Sequence, residues 1–247
     1  RRLNRRRYVE PDPLQFVYGC ENDHDREIVA LVAACLAYGR VAQILRSVSR
    51  VLKRLGPQPA ETVGANSAKG LQDLMDGFRH RFTTGQEIAD LLAACGAARR
   101  KHGSLEAAFS REMEDHDQTT VPALGRFVSA LYAEGAPRSH LLPDPAAGSA
   151  CKRLHLFLRW MVRSDDVDPG PWTSVPAGKL VIPLDTHMHR LAAKLGATRR
   201  RSPDRKTALE ITEAFRRIRP DDPVRYDFAL TRLGIRPDVQ APELGLE

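Results

Sequence analysis

The sequence lacks the features of membrane proteins and of disulfide-stabilised secreted proteins. No uncharged apolar run approaches the roughly 20 residues that a membrane-spanning helix needs. The basic start, residues 1–7, is followed by polar residues and prolines rather than by an apolar run, so we expect no signal peptide. The four cysteines are too few and too scattered for a disulfide framework. These absences predict a cytoplasmic protein that does not associate with a membrane.

The sequence also lacks the usual ligands of zinc sites and iron–sulfur clusters. The sequence contains no Cys-x-x-Cys pair and no dense group of Cys and His. His187 and His189 form a His-x-His pair, but residues two apart on a helix do not share a face. We therefore predict no metal and no other cofactor.

Acidic residues are outnumbered by basic ones. The chain has 38 Lys and Arg against 31 Asp and Glu, which gives a formal charge of +7. A basic surface attracts polyanions, so nucleic acid is a candidate partner, although charge alone is weak support. The cluster Arg199-Arg200-Arg201 fits either a solvated loop or a phosphate contact.

Strand-like alternation is scarce, and apolar residues recur at helical spacing instead. Caps and breakers predict helices over 25–37, 41–55, 71–82, 85–102, 105–114, 121–133, 185–195, 204–218 and 223–233, with a further amphipathic helix opening near Gly148. Tyr38-Gly39-Arg40 forms a tight break between the first two helices. The predicted fold class is all-α.

Two residues stand at helix starts that follow loops rich in turn formers. Lys152 lies in the first helical turn beside Arg153, where the helix dipole and the neighbouring charge both disfavour the charged amine. A neutral lysine is a nucleophile that can form a Schiff base. Asp185 is a natural N-cap, and a capping carboxylate is a fixed negative charge that can stabilise a developing cation. Both residues also have ordinary structural explanations, as a solvated surface group and as a cap.

These residues belong to strings that resemble a known superfamily. Residues 148–154, Gly-Ser-Ala-Cys-Lys-Arg-Leu, and 182–190, Ile-Pro-Leu-Asp-Thr-His-Met-His-Arg, resemble the helix-hairpin-helix DNA glycosylases, and the long loop between them is closer to the archaeal 8-oxoguanine glycosylase branch than to endonuclease III. Residues 227–234 resemble the C-terminal string of that branch. Over nearly its whole length the chain also resembles an uncharacterised bacterial family, DUF2400.

The resemblance implies a two-lobed helical bundle with its site in the cleft between the lobes. Residues 1–247 would form a single glycosylase-like unit. Its approximate parts would be a helical bundle with the wedge loop (25–140), a hairpin-like and catalytic segment (141–195), and C-terminal helices that pack on the site (196–247).

The resemblance also implies roles for individual residues. Lys152 would attack C1′ of a damaged nucleotide, and Asp185 would assist it. Asp227 would read the flipped base in a pocket that Leu156 and Thr231 also line. Expected DNA contacts come from the wedge loop and from the two catalytic helices: Tyr38, Arg40, Gln43, Arg153, Arg159, His187, Arg190 and Lys194.

The chain departs from the superfamily at several of these positions. Residues 142–148 stand in place of the usual Leu-Pro-Gly-Val-Gly hairpin. Leu156 stands where relatives have Phe or Cys, and Thr231 stands where the archaeal enzyme has Trp. The resemblance therefore leaves the identity of the substrate base open.

The predicted function is base-excision repair: a glycosylase with AP lyase activity, acting on double-stranded DNA that carries an oxidised purine, with 8-oxoguanine as the best candidate. We expect a monomer without an obligatory protein partner, located in the cytoplasm with the nucleoid. Two alternatives stay open. One is a monofunctional glycosylase in which Asp185 activates water, and the other is a non-catalytic helical protein that binds DNA or RNA.

Overall fold

The chain folds almost entirely into helices, as the computed structural model shows for residues 3–135 and 137–235. The α-helices are α1 (Asp23–Cys35), α2 (Val41–Leu55), α3 (Pro59–Ala65), α4 (Ala68–Leu74), α5 (Gly85–His102), α6 (Leu105–Ser110), α7 (Thr120–Ala133), α8 (Lys152–Val162), α9 (Thr186–Lys194), α10 (Arg205–Arg216) and α11 (Asp227–Ile235). Short 3₁₀ helices occupy Arg6–Tyr8, Pro13–Gly19, Pro145–Ala147 and Ala177–Lys179. A two-stranded antiparallel hairpin, β1 (Arg79–His80) and β2 (Thr83–Thr84), is the only sheet in the described ranges. The all-α prediction is confirmed.

Helix α1 lies at the centre of the core. Every residue from Glu27 to Cys35 is buried, as expected for a helix that is surrounded by others on all sides. It packs against α2, α3, α5, α6 and α8, and against the 3₁₀ helix at 13–19. Helix α8, which opens at Lys152, is therefore held directly against the central helix of the fold.

Two buried carboxylates of α1 fix the starts of other helices. Asp25 accepts a hydrogen bond from the Ala60 amide of α3 at 2.7 Å. Glu27 accepts one from the Leu105 amide at 2.9 Å and another from the Trp172 indole at 2.9 Å. Burial raises the pKa of Glu27, and the amide hydrogen bonds oppose that rise. The carboxylates thus satisfy helix N-termini that would otherwise be buried without partners.

Most predicted helices are present, but the one expected over 71–82 is wrong beyond Leu74. The chain turns at Gly77, which has a φ of +64°, and then forms the β1–β2 hairpin. His80 is buried, and its Nδ1 lies 2.9 Å from the Ser47 hydroxyl, so this contact holds the segment in the hairpin. Helix α3 was not predicted, and α6 is shorter than the predicted 105–114 helix.

The segments expected to form separate lobes share one apolar core within the described residues. Because α1 packs on α8, the 25–140 and 141–195 segments are in direct contact. Helix α9 packs on α11, which brings the C-terminal segment to the same region. The two-lobed glycosylase arrangement and its boundaries stay predictions, and positions 236–247 of the last part lie outside the described residues. Among the helices described, none is both long and apolar enough to cross a membrane.

Candidate catalytic cleft

Lys152 and Asp185 meet where two helices begin. Lys152 is the first residue of α8, and Asp185 is the N-cap of α9. One carboxylate oxygen of Asp185, Oδ1, accepts hydrogen bonds from the His187 amide at 3.0 Å and the Met188 amide at 2.8 Å. The other, Oδ2, lies 3.6 Å from Nζ of Lys152. Capping and the approach to the amine therefore use different oxygens of the same side chain.

The loop before α8 is tied down on both sides of its turn. Gly148 has a φ of +87°, and Cys151 has one of +43°, so the chain reverses sharply before Lys152. Ser149 forms a β-bridge with Asp204, and the Arg205 amide donates to the Gly148 carbonyl at 3.0 Å. These contacts anchor the loop to the start of α10 and so fix the place from which Lys152 extends.

A cavity of about 430 Å³ opens beside this pair. Its walls come from four further parts of the chain: residues 11–13, residues 37–44, the body of α8, and α11. The three predicted base-pocket residues, Leu156, Asp227 and Thr231, all line it. We call this cavity the cleft; its size falls within the usual range for small-ligand sites.

Asp227 is a buried acid within the cleft wall. Its Oδ2 forms an ion pair with Arg159, whereas its Oδ1 is buried without a hydrogen-bond partner among the described residues. Burial raises the pKa of Asp227, and the Arg159 guanidinium opposes that rise. The charges of Asp185 and Lys152 also affect this pKa in opposite directions, so Asp227 lies within electrostatic reach of the pair.

Arg159, which the resemblance implied as a DNA contact, is buried in the structure. Only 4% of its side chain is exposed, and its Nε donates to Oδ1 of Asp168 at 3.1 Å while a second nitrogen pairs with Asp227. Asp168 pairs in turn with Arg163, which also contacts Asp222 at 2.9 Å. The prediction that Arg159 contacts a phosphate is therefore corrected: its guanidinium is buried, and it forms interior ion pairs with Asp168 and Asp227.

The family of the chain follows from its match to a family model. Residues 12–236 match the model described as "Protein of unknown function (DUF2400)". The chain belongs to the DUF2400 family. The match spans Lys152, Asp185 and Asp227, so in this DUF2400 protein the whole polar part of the cleft lies inside the family region. Searches of curated proteins and of solved structures found no match.

The predicted wedge loop of this DUF2400 protein lies at the cleft, since Tyr38 and Gly39 line it. The Tyr38 hydroxyl donates to the His80 carbonyl at 2.9 Å. Arg153 donates to the carbonyls of Cys35 and His140, and its guanidinium lies 5.1 Å from the Tyr38 ring centre. Arg153 thus supports the loop rather than projecting freely for a phosphate.

The remaining predicted DNA contacts are at least partly exposed. Arg40 is exposed and Gln43 is half-buried at the start of α2. His187 is exposed and lines the cleft, and Arg190 and Lys194 are exposed further along α9. These side chains leave a basic surface next to the cleft, and their contact with DNA stays a prediction.

Sequence reasoning missed one ion pair of the cleft. Arg232 of α11 lies 2.7 Å from Oδ2 of Asp12, and both residues line the cleft. Asp12 also caps the 13–19 segment by accepting from the Leu14 amide at 3.0 Å. Pro11-Asp12-Pro13 signals only a turn, and nothing local predicts a partner 220 residues away in sequence.

One group of side chains has the donor types of a metal site. Ligand atoms of Glu114, His116 and Asp117 lie within 4.8 Å of one another. Arg126 contacts both acids, and His116 lies 3.0 Å from Glu114, so the carboxylates already have cationic or polar partners. None of the three lines the cleft.

Proposed function

We propose that this protein is a DNA glycosylase with AP lyase activity that removes an oxidised purine, with 8-oxoguanine as the first candidate. The observation that carries the proposal is the 3.6 Å approach of Lys152 Nζ to Asp185 Oδ2 at the wall of the cleft. An amine and a carboxylate that share one cavity are the two groups that base excision through a Schiff base needs. The resemblance of three strings to helix-hairpin-helix glycosylases supplies the substrate class.

In the proposed mechanism the C1′–N bond of the damaged nucleotide breaks while positive charge develops on the sugar. The Asp185 carboxylate stabilises this charge and accepts a proton from the Lys152 ammonium, which frees the amine. Because 3.6 Å is too long for a direct hydrogen bond, the proton passes after a small movement or through one water. The departing base takes up a proton as it leaves.

The freed amine of Lys152 then forms a bond to C1′, and the sugar ring opens to give the Schiff base. Loss of a proton from C2′ expels the 3′ phosphate, which cuts the strand by β-elimination. Hydrolysis of the Schiff base returns the amine. These steps use only groups on Lys152, Asp185, the nucleotide and water, and they involve no change of oxidation state.

The cleft supports recognition of the base through polar contacts. Asp227 offers a buried carboxyl oxygen, Oδ1, that has no hydrogen-bond partner among the described residues and can accept a hydrogen bond from the edge of a base. Leu156 and Thr231 provide no aromatic platform, and Tyr38 is the aromatic residue among the described lining. We therefore propose that hydrogen bonds to the base edge contribute more to selectivity than stacking does.

The experiment is a product analysis on duplexes that each carry one lesion: 8-oxoguanine, another oxidised purine, or an oxidised pyrimidine. Strand cleavage is measured with and without alkali for the wild type, for Lys152→Gln, and for Lys206→Gln as a control at an exposed lysine on α10. We expect cleavage of the 8-oxoguanine strand without alkali, its loss in Lys152→Gln, and its retention in Lys206→Gln.

Other outcomes separate the alternatives. Cleavage that needs alkali and survives in Lys152→Gln would replace the lyase with a monofunctional enzyme that uses Asp185-activated water. Binding without base release from any lesion duplex would leave only a nucleic-acid-binding protein and would contradict the proposal.

A further inference from the structure

An exposed aromatic side chain stands at the tip of the β1–β2 hairpin. Arg81 and Phe82 form the two-residue turn between the strands, because Arg79 pairs with Thr84 and His80 with Thr83. Phe82 is 58% exposed, although single exposed apolar residues are common in proteins. Phe82 differs from such residues because it lies next to the predicted wedge loop and among exposed arginines.

The hairpin tip is joined to the cleft through the Tyr38–Arg40 loop. A Cβ added at Gly39, which lines the cleft, would lie 2.9 Å from Cδ of Arg81, so the two turns are in contact. The Phe82 ring centre lies 4.9 Å from that of Tyr38 and 4.6 Å from that of His140. These rings hold Phe82 in place while more than half of it faces solvent.

Positive charge surrounds this aromatic residue. Arg40, Arg79 and Arg81 are all exposed, and none forms an ion pair with a residue that the structure describes. Glu87 contacts the same cluster, but its carboxylate is engaged by the Thr84 amide and by His140. An exposed ring between uncompensated arginines is the combination that binds unpaired bases and their phosphates.

We propose that Phe82 stacks on a base that has lost its partner when a nucleotide leaves the duplex and enters the cleft. Arg40, Arg79 and Arg81 bind the phosphates of the same DNA. This inference rests on the proposed function in that the partner is DNA with an extrahelical nucleotide. It concerns binding alone, however, and involves no step at Lys152.

The test measures affinity for three DNA probes that cannot be processed. They are a duplex with one tetrahydrofuran abasic analogue, the same duplex intact, and its single strand. The variants are Phe82→Ala, Phe82→Leu and Phe82→Tyr, with Ile218→Ala as the matched control because Ile218 is another exposed large apolar side chain. Thermal unfolding of each variant and sedimentation of the wild type accompany the titrations.

We expect Phe82→Ala and Phe82→Leu to weaken binding to the abasic duplex by roughly 5- to 150-fold, the range for loss of one base–aromatic stack. Phe82→Tyr and Ile218→Ala should bind like the wild type, and the intact duplex should change little. The leucine variant separates stacking from simple apolar packing.

Several results would overturn the inference. They are unchanged affinity in Phe82→Ala, an equal loss on the intact duplex, absence of wild-type binding to the abasic duplex, or a wild-type dimer that Phe82→Ala converts to monomer. The last result would make the patch an interface between two copies of the chain. If the wild type excises a base but Phe82→Ala binds normally, only this inference fails and the proposed function stands.

Discussion

Substitution of Asp185 separates its structural contribution from its proposed chemical one. Its Oδ1 caps α9, while its Oδ2 faces Lys152. Asparagine is as good an N-cap as aspartate, but it carries no charge. Asp185→Asn should therefore fold with a free energy of unfolding within about 1 kcal/mol of the wild type and lose most of its excision rate.

The size of the effect follows from the geometry of the pair. Two unit charges 3.6 Å apart attract by about 5 kcal/mol at an effective dielectric constant of about 20. Both side chains are partly exposed, so the ion pair contributes about 1 kcal/mol or less to folding stability. When DNA closes the cleft and charge develops on the sugar, loss of the carboxylate should slow excision by about 10²- to 10³-fold.

The assay is single-turnover base release at saturating protein, combined with urea unfolding of the same samples. Asp204 gives a matched control, because it caps α10 through the Thr207 amide at 2.9 Å and lies outside the cleft. Asp204→Asn should retain the excision rate. Release of base by Asp185→Asn at the wild-type rate, or loss of its activity only through unfolding, would refute a chemical role for the Asp185 carboxylate.

Three further predictions concern stability. Arg159→Met should lower the free energy of unfolding by about 3–5 kcal/mol in urea titrations, because it leaves the buried Asp227 carboxylate unpaired and removes one of the two arginines that pair with Asp168. A loss below about 1 kcal/mol would count against that ion-pair network. Burial lowers the pKa of His155 to about 4, below its ordinary value, so the stability that neutral His155 contributes is present above pH 6.5 and is lost as the pH falls toward 4. We therefore expect the difference in free energy of unfolding between His155→Leu and the wild type to move by about 2 kcal/mol in favour of the variant between pH 7 and pH 5, as measured in urea titrations. A difference that is the same at both pH values would contradict a buried neutral ring at His155. Gly39→Ala should lower the free energy of unfolding, measured by thermal denaturation, by more than about 1 kcal/mol, because φ at this position is +94° and alanine is strained there. An unchanged melting temperature would contradict the backbone strain expected for alanine at this position.

Local chemistry predicted much of the fold. The bounds of α2 and α5 match the sequence prediction because Gly56-Pro57 ends α2 and a Thr84/Glu87 capping box starts α5. The pairing of Lys152 with Asp185 was different: each helix start was predictable from turn residues, but their meeting in space came from the resemblance alone. No local pattern encodes which two helix N-termini will share a cleft.

Long-range partners and an unusual turn account for what was missed. Arg159 lies on an amphipathic helix, where arginine is normally solvated, and the acids that bury it come from the loop at Asp168 and from Asp227. The β1–β2 hairpin has Arg81-Phe82 at its turn instead of the Asn-Gly or Asp-Gly that signals a hairpin. A helical pattern over 71–82 therefore hid the exposed Phe82.

The chemical identity of the residue that attacks the sugar tests the proposed glycosylase mechanism most directly. The protein is incubated with an 8-oxoguanine duplex and sodium borohydride, and the trapped adduct is digested and mapped by mass spectrometry. The proposed mechanism predicts a covalent DNA adduct on Lys152 that disappears in Lys152→Ala and persists in Lys206→Ala. An adduct on another amine, or base release by the wild type with no trapped species, would contradict it.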